Sequence, residues 1–111
     1  MKKFLVLYKA PLASFDQMMK STPEQQKAGM EAWKAWSMKA ASAIVDMGAP
    51  LGKSLTVSPA GASPSRNELG GFSIMQGESK EALAELMKGH PHFMTPSGVI
   101  EIVDLMPMPG M

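Results

Sequence analysis

The sequence predicts an α+β fold in which two β-α-β units share one antiparallel sheet. Residues 69–105 give a short apolar strand, a serine-capped helix, a helix stop and a β-branched strand, in that order. Near the N-terminus, an apolar strand precedes a long amphipathic segment. With 111 residues, 45% of them hydrophobic, the chain has the size and composition of one globular domain. We therefore expect a single domain spanning residues 1–111.

The first half predicts a strand, a long helix and a second strand. Lys3–Lys9 is predicted to be a strand that is apolar on both faces. The helix is predicted to begin at Thr22, because the Thr-Pro-Glu-Gln sequence supplies an N-cap, an N1 proline and a capping-box glutamine. It is predicted to end near Met47, before Gly48. Lys53–Ser58 then alternates like a strand.

Three segments are predicted to lie outside the regular elements. Residues 10–21 connect the first strand to the helix, with at most one helical turn around Phe15–Met19. Residues 58–68 are rich in Pro, Gly and Ser and predict a long loop between two antiparallel strands, which makes this loop a candidate to cover a site. Residues 106–111 form a Pro- and Met-rich tail that we expect to be weakly structured.

The second half completes the element order. An apolar strand at Gly71–Met75 is followed by a helix capped at Ser79, and a strand follows at Val99–Val103. The order strand, helix, strand, strand, helix, strand, with right-handed crossovers, predicts a ferredoxin-like βαββαβ sandwich. Its four-stranded antiparallel sheet would carry both helices on one face. Since the first strand is apolar on both sides, the other face would remain uncovered, and we expect a homodimer through the sheet faces.

Composition excludes several classes of protein. Eleven Lys and Arg balance ten Asp and Glu, without a basic cluster, which argues against nucleic acid as a partner. The apolar runs are too short to span a membrane. Without cysteine there are no disulfides, thiolate metal sites or Cys nucleophiles. We expect a cytoplasmic protein without a cofactor.

Two histidines are the leading candidates for acid–base chemistry. His90 and His92 flank Pro91 after the second helix, and an ordinary imidazole titrates near pH ~6.5. Alternatively, His90 ends the helix and interacts with its negative end, while His92 is an ordinary loop residue. Asp46, near the predicted end of the first helix, is a third acid–base candidate. Two imidazoles with no nearby carboxylate do not predict a metal site.

Other residues are candidates for ligand binding. Trp33 and Trp36 form either an aromatic wall for a planar ligand or part of the core. Tyr8 and Ser73 lie on strands and would be polar groups in an apolar cleft if they faced the helices. Glu101 is either exposed or a buried acid. Arg66, the only arginine, would either clamp a carboxylate or be solvated.

Short motifs of this chain resemble those of the YCII-related proteins, which have a dimeric α+β barrel fold. In the second half they are a Gly-Gly-aromatic strand, an acid-Ser cap, a His-Pro after the helix and a Gly-Val-acid strand. In the first half the strand ending in Tyr8, the EAWKAW helix and the VDMGAPLGKSLTVS segment fit the same plan. The matching residues of the second half are Gly70, Gly71, Phe72, Glu78, Ser79, His90, Pro91, Gly98, Val99, Glu101 and Ile102.

The resemblance implies a small-molecule enzyme. In that family a His on the first helix and an Asp near the second strand resemble a general acid–base pair, and elimination or isomerisation of ring-opened or lactone-type substrates has been suggested. This chain has no His on its first helix, where Trp33 and Trp36 occupy the inward stripe, and only Asp46 lies near the helix end.

Two functional hypotheses remain open from the sequence. One is a lyase- or isomerase-like enzyme, whose cleft between the first helix and the sheet would take a small carboxylate or lactone. The other is a non-catalytic ligand-binding or regulatory homodimer, in which the tryptophans fill the cleft.

Overall fold

The computed structural model describes residues 1–109. It contains a four-stranded sheet, a separate two-stranded hairpin and three α-helices, joined by short 3-10 turns. In chain order the elements are β1 (Lys2–Lys9), α1 (Leu12–Met18), α2 (Pro23–Lys39), β2 (Ile44–Pro50), β3 (Ser54–Ser58), β4 (Gly61–Ser65), β5 (Leu69–Gly77), α3 (Lys80–Leu86) and β6 (Val99–Asp104).

The main sheet has the strand order β2-β5-β1-β6, with every neighbouring pair antiparallel. The two β-α-β units interleave in this order, which confirms the predicted α+β, ferredoxin-like fold. Helices α2 and α3 pack on the same face of the sheet, where they enclose the core. The buried core residues are Phe4, Val6, Tyr8, Trp36, Ala40, Met75, Leu83 and Met87.

The start of α2 is as predicted, but its end is not. Thr22 accepts a hydrogen bond from the Gln25 backbone N–H and the Gln25 side chain accepts one from the Thr22 N–H, which completes a capping box. The helix ends at Lys39, however, and the chain passes through a 3-10 turn into β2. The extension to Met47 was wrong because Ala43 and Ile44 pack against the core from the turn and the strand, in line with the helical stripe.

Gly48 belongs to an irregular part of β2 and is not a helix stop. The register of β2 against β5 shifts between Ile44 and Asp46 and again between Asp46 and Ala49, and Gly48, inside the second shift, has a φ of +72°. A Cβ at this position would lie 1.8 Å from the Phe72 carbonyl oxygen. The glycine is therefore required by a β-bulge that brings two backbones close together.

The residues predicted as the second sheet strand and its loop form a separate β-hairpin. Ser54–Ser58 pairs with Gly61–Ser65 and has no place in the main sheet. The predicted loop at 58–68 thus contains a strand, while the sheet position expected for Lys53–Ser58 is taken by β2. Residues 106–109 have no helix or strand, and the rest of the predicted tail, residues 110 and 111, lies outside the described part.

The connection between β1 and α2 is more helical than expected. In place of a single turn around Phe15–Met19, α1 runs over seven residues. The hydroxyl of Ser14 donates a hydrogen bond to the Pro96 carbonyl oxygen at 2.6 Å, which ties α1 to the segment before β6.

Candidate functional site

Five of the sequence-predicted site residues meet on the helix-covered face of the sheet. Tyr8 comes from β1, Trp33 and Trp36 from α2, and His90 and His92 from the 3-10 turn region after α3. We call these five residues the aromatic–histidine cluster. His90 is 1% exposed, and Tyr8 and His92 are also buried.

His90 occupies this position because of how the chain turns after α3. Gly89 reverses the backbone with a φ of +75°, and Pro91 opens a 3-10 turn for which His90 is the N-cap. As N-cap, His90 accepts a hydrogen bond through Nδ1 from the backbone N–H of His92 at 2.9 Å. The cap turns the ring back over its own turn and into the core. His90 does follow the C-terminal end of α3, where its backbone N–H donates to the Met87 carbonyl at 3.0 Å, but its imidazole packs against aromatic rings of the core.

The second imidazole is anchored to β1. His92 Nε2 lies 2.8 Å from the Lys9 carbonyl oxygen. A carbonyl can only accept, so Nε2 carries the proton and, in the neutral ring, the lone pair is on Nδ1. His92 is thus a buried residue with a defined tautomer, and its reading as an ordinary loop residue was wrong.

The rings of the cluster are in contact with one another. His90 stacks on Tyr8, with the ring centroids 5.2 Å apart, and lies 4.6 Å from Trp33 and 4.2 Å from Trp36. Tyr8 and Trp33 meet edge to face at 4.9 Å. These separations are typical of favourable aromatic contacts, so the tryptophans pack against the imidazole directly.

Tyr8 also begins a short hydrogen-bond chain. The Ser73 hydroxyl donates to the Met47 carbonyl oxygen at 2.8 Å, and therefore accepts from the Tyr8 hydroxyl, 3.0 Å away. Burial raises the pKa of the Tyr8 phenol, and the Ser73 hydrogen bond offsets part of that effect. Tyr8 is consequently neutral at physiological pH.

Burial has the opposite effect on His90. Removal from water disfavours the imidazolium, and the neighbouring His92 adds to this, so the pKa of His90 is lowered to about 4. His90 is therefore neutral at pH 7.

One buried polar atom of the cluster has no hydrogen-bond partner in the described part of the chain. Within residues 1–109, no hydrogen-bonding group lies within reach of the buried His90 Nε2. Most buried polar atoms in proteins have a partner, and an exception calls for a functional or structural reason.

A surface groove adjoins the cluster. It has a volume of about 430 Å³, and its lining includes Trp36, Gly89 and Pro91. Trp36 contacts the His90 ring, and Gly89 and Pro91 are the residues directly before and after His90 in the sequence. The His90 ring itself does not line the groove, so the tryptophan separates the open space from the imidazole.

The other predicted site residues lie apart from the cluster. Asp46 is exposed, pairs in register with Ile74, and accepts a hydrogen bond from the Gly48 backbone N–H. Arg66 is exposed and forms an ion pair with Asp16 at 2.8 Å. Glu101 is exposed and lies 3.5 Å from the Lys9 ammonium, which matches its reading as an exposed residue.

Sequence reasoning found the side chains of the cluster but missed the groups that orient them. These are the His92 backbone N–H and the Lys9 and Met47 carbonyls. The sequence does contain a signal for the His92 backbone N–H. A polar residue directly before a proline that opens a turn is in an N-cap position, where its side chain accepts from a backbone N–H of that turn. The two carbonyls depend on strand register, which no local motif specifies.

The described part of the chain contains neither a metal-binding cluster nor a helix that could span a membrane. Between residues 1 and 109, no three His, Asp or Glu side chains come together in a way that could hold a metal ion. No helix in the same range combines the length and apolarity needed to span a bilayer.

Comparison with known proteins gives a structural likeness. No protein-family model matches the sequence, and no curated protein matches it. A solved structure that resembles this chain is the 5-chloro-2-hydroxyhydroquinone dehydrochlorinase of Burkholderia phenoliruptrix AC1100, in complex with 2,5-dihydroxybenzoquinone. The identity is 18%, the TM-score is 0.52, and the match covers 89% of this chain and 90% of the other. A likeness at this identity establishes a common fold.

Proposed function

We propose that this chain is a small-molecule enzyme of the YCII-related type, which binds a planar, oxygen-bearing substrate at the aromatic–histidine cluster. One observation carries the proposal: the buried His90 Nε2 has no partner within residues 1–109, and the His90 ring lies among aromatic side chains, with the ring centroids of Tyr8, Trp33 and Trp36 within 5.2 Å of its own. An unpaired buried polar atom costs free energy, and a ligand that supplies the missing partner recovers it. Aromatic rings around such an atom suit a flat ligand.

The proposed reaction class is elimination or isomerisation next to a carbonyl group. His92 Nδ1, which holds the lone pair of the neutral ring, would remove a proton from the carbon beside the carbonyl. The electron pair of the broken C–H bond would move to the carbonyl oxygen. The enolate would then expel a leaving group from the next carbon or, where the carbonyl is conjugated, take the proton back from His92 at another carbon. Asp46 has no part in this scheme, because its carboxylate is exposed and bonded to Gly48.

The groove beside Trp36 is the proposed entrance. A ligand that reaches His90 from there must displace the Trp36 ring, which is only 8% exposed. The dehydrochlorinase with a similar fold was solved with a dihydroxybenzoquinone, a flat ligand with ring oxygens, and this makes that molecule a suitable first probe.

Binding of 2,5-dihydroxybenzoquinone to the isotope-labelled protein tests the proposed function. We expect the ring resonances of His90 and the indole resonances of Trp33 and Trp36 to shift on titration. The Arg66→Ala variant should bind equally well, because Arg66 pairs with Asp16 at the surface. Catalysis is read from deuterium exchange beside the carbonyl of cyclohexane-1,4-dione, which we expect to fall at least about tenfold in His92→Gln. Shifts confined to other parts of the protein would contradict the proposed site.

The alternative is a non-catalytic binding protein. It is favoured by the packing of the cluster, in which the rings of Trp33 and Trp36 contact His90 directly. Quinone binding without dione exchange, or with exchange unaffected by His92→Gln, would select this alternative.

We also propose a homodimer formed through the open sheet face. The strand positions that face away from α2 and α3 include Leu5, Leu7, Phe72, Ile74 and Val103, which the registers of β1 with β5 and β6 place side by side. An apolar surface of this kind is usually covered by a partner.

We expect sedimentation equilibrium to give twice the 11.9 kDa chain mass. Leu7→Glu should shift the protein to monomer, and Met38→Glu on the exposed side of α2 should not.

A further inference from the structure

The hydrogen bonds of the His90–Pro91–His92 turn fix which nitrogen of His90 carries the proton. The His92 backbone N–H points at His90 Nδ1 from 2.9 Å, and a backbone N–H can only donate. Nδ1 must therefore be the unprotonated nitrogen of the neutral ring. The proton is then on Nε2, and this is the atom without a partner in the described chain.

This assignment removes His90 from the role of general base. The only lone pair of the neutral ring is already used by the His92 N–H, and protonation of Nδ1 would bring two donors face to face. The lowered pKa of His90 is consistent with that conflict, although burial is its main cause. What the ring offers to a ligand is a single N–H donor in a dry, aromatic environment.

We infer that His90 donates Nε2–H to an acceptor oxygen of the substrate, and that the site therefore selects carbonyl, quinone or enolate ligands. The inference rests on the proposed function and assigns the substrate class of the same site. A molecule without an acceptor would leave the donor unpaired. A ligand hydroxyl that must itself donate would face the Nε2–H donor, and two donors cannot form a hydrogen bond.

The same donor suits the chemistry proposed above. Negative charge develops on the carbonyl oxygen as the neighbouring proton leaves, and a fixed donor in a water-poor site stabilises such charge. His90 and His92 then have different tasks, because the first offers a proton to oxygen and the second has a free lone pair at Nδ1. The two tautomers are set by the two backbone groups, the His92 N–H and the Lys9 carbonyl.

The tautomer is measured directly by two-dimensional NMR of the ring nitrogens, which is simple here because the chain has only two histidines. At pH 7 we expect His90 Nε2 in the protonated range and Nδ1 in the unprotonated range. Addition of 2,5-dihydroxybenzoquinone should move the Nε2 resonance. Addition of para-xylene, which has methyl groups in place of the ring oxygens, should not.

Two substitutions separate the two nitrogens of the ring. In His90→Asn the amide oxygen can replace Nδ1 as acceptor for the His92 N–H, but the Nε2 donor is lost. In His90→Gln the amide NH₂ can replace Nε2, but the acceptor is lost. We expect His90→Asn to weaken quinone binding at least about tenfold, and His90→Gln to bind more tightly than His90→Asn although it is the less stable of the two.

The results distinguish failure of the inference from failure of the proposed function. If the quinone binds the native protein but His90 has its proton on Nδ1, or if His90→Asn binds as tightly as the native chain, the donor role is wrong and the site stands. If the quinone does not bind the native protein, the proposed function and the inference that depends on it both fall. The NMR titration of the native protein decides the matter even if neither variant folds.

Discussion

Replacement of Trp36 by alanine is expected to lower the free energy of unfolding by about 3–5 kcal/mol, the usual cost of removing a large aromatic side chain from a core. Trp36 is 8% exposed, belongs to the main core cluster, and has its ring centroid 4.2 Å from that of His90. Its loss would create a cavity beside a polar group that has no hydrogen bond at Nε2. Urea denaturation followed by circular dichroism measures the change.

The matched control is Met38→Ala, two residues further along the same helix. Met38 is 71% exposed, so its truncation should change stability by no more than about 0.5 kcal/mol. Trp33→Ala should fall between the two, because Trp33 is only partly buried. A near-neutral Trp36→Ala would contradict the packing described above and would indicate that the ring lines a wet pocket.

The fold was largely predictable because its main signals are local. The capping box at Thr22, the serine cap at Ser79 and the β-branched strand 99–104 each depend on a few neighbouring residues. These elements, in their order along the chain, imply the ferredoxin-like arrangement.

The errors came from places where tertiary packing overrides a local pattern. Ala43 and Ile44 continue the apolar stripe of α2, yet they reach the core from a 3-10 turn and a strand. Gly48 follows the apolar stripe as a helix stop would, whereas its positive φ serves a bulge in β2. The hairpin 54–65 was hidden because Pro64 and several small residues lie in its second strand.

The candidate site was predictable in its residues but not in its arrangement. The spacing of Trp33 and Trp36 along one helix predicts that both side chains face inward. The alternation of side chains along a strand makes Tyr8 a candidate to face the helices. The assembly of these rings around His90 depends on the turn after α3, and the proton positions depend on the Lys9 carbonyl and the His92 N–H. Such contacts join residues far apart in sequence, or a backbone group to a side chain, and composition does not reveal them.

Acidification is expected to destabilise the protein through His90. The pKa of His90 is about 4 in the folded protein, against an ordinary value of 6.5 in the unfolded chain. As pH falls below 6.5, the unfolded chain gains a proton at this position that the folded protein does not accept until about pH 4. The contribution of His90 to the free energy of unfolding should therefore be constant above pH 7. This contribution should fall by about 3 kcal/mol between pH 7.5 and pH 4.

The difference between the native chain and His90→Gln isolates this effect from that of the carboxylates, which titrate in both proteins. Glutamine has no proton to gain, so the stability advantage of the native chain should shrink by about 3 kcal/mol from pH 7.5 to pH 4. The other ionisable groups around the His90 ring are His92 and Tyr8, and both are retained in the variant. Parallel stability curves over this range would mean that His90 titrates normally in the folded protein. The ring would then be reached by water, and the dry donor site inferred from its burial would be wrong.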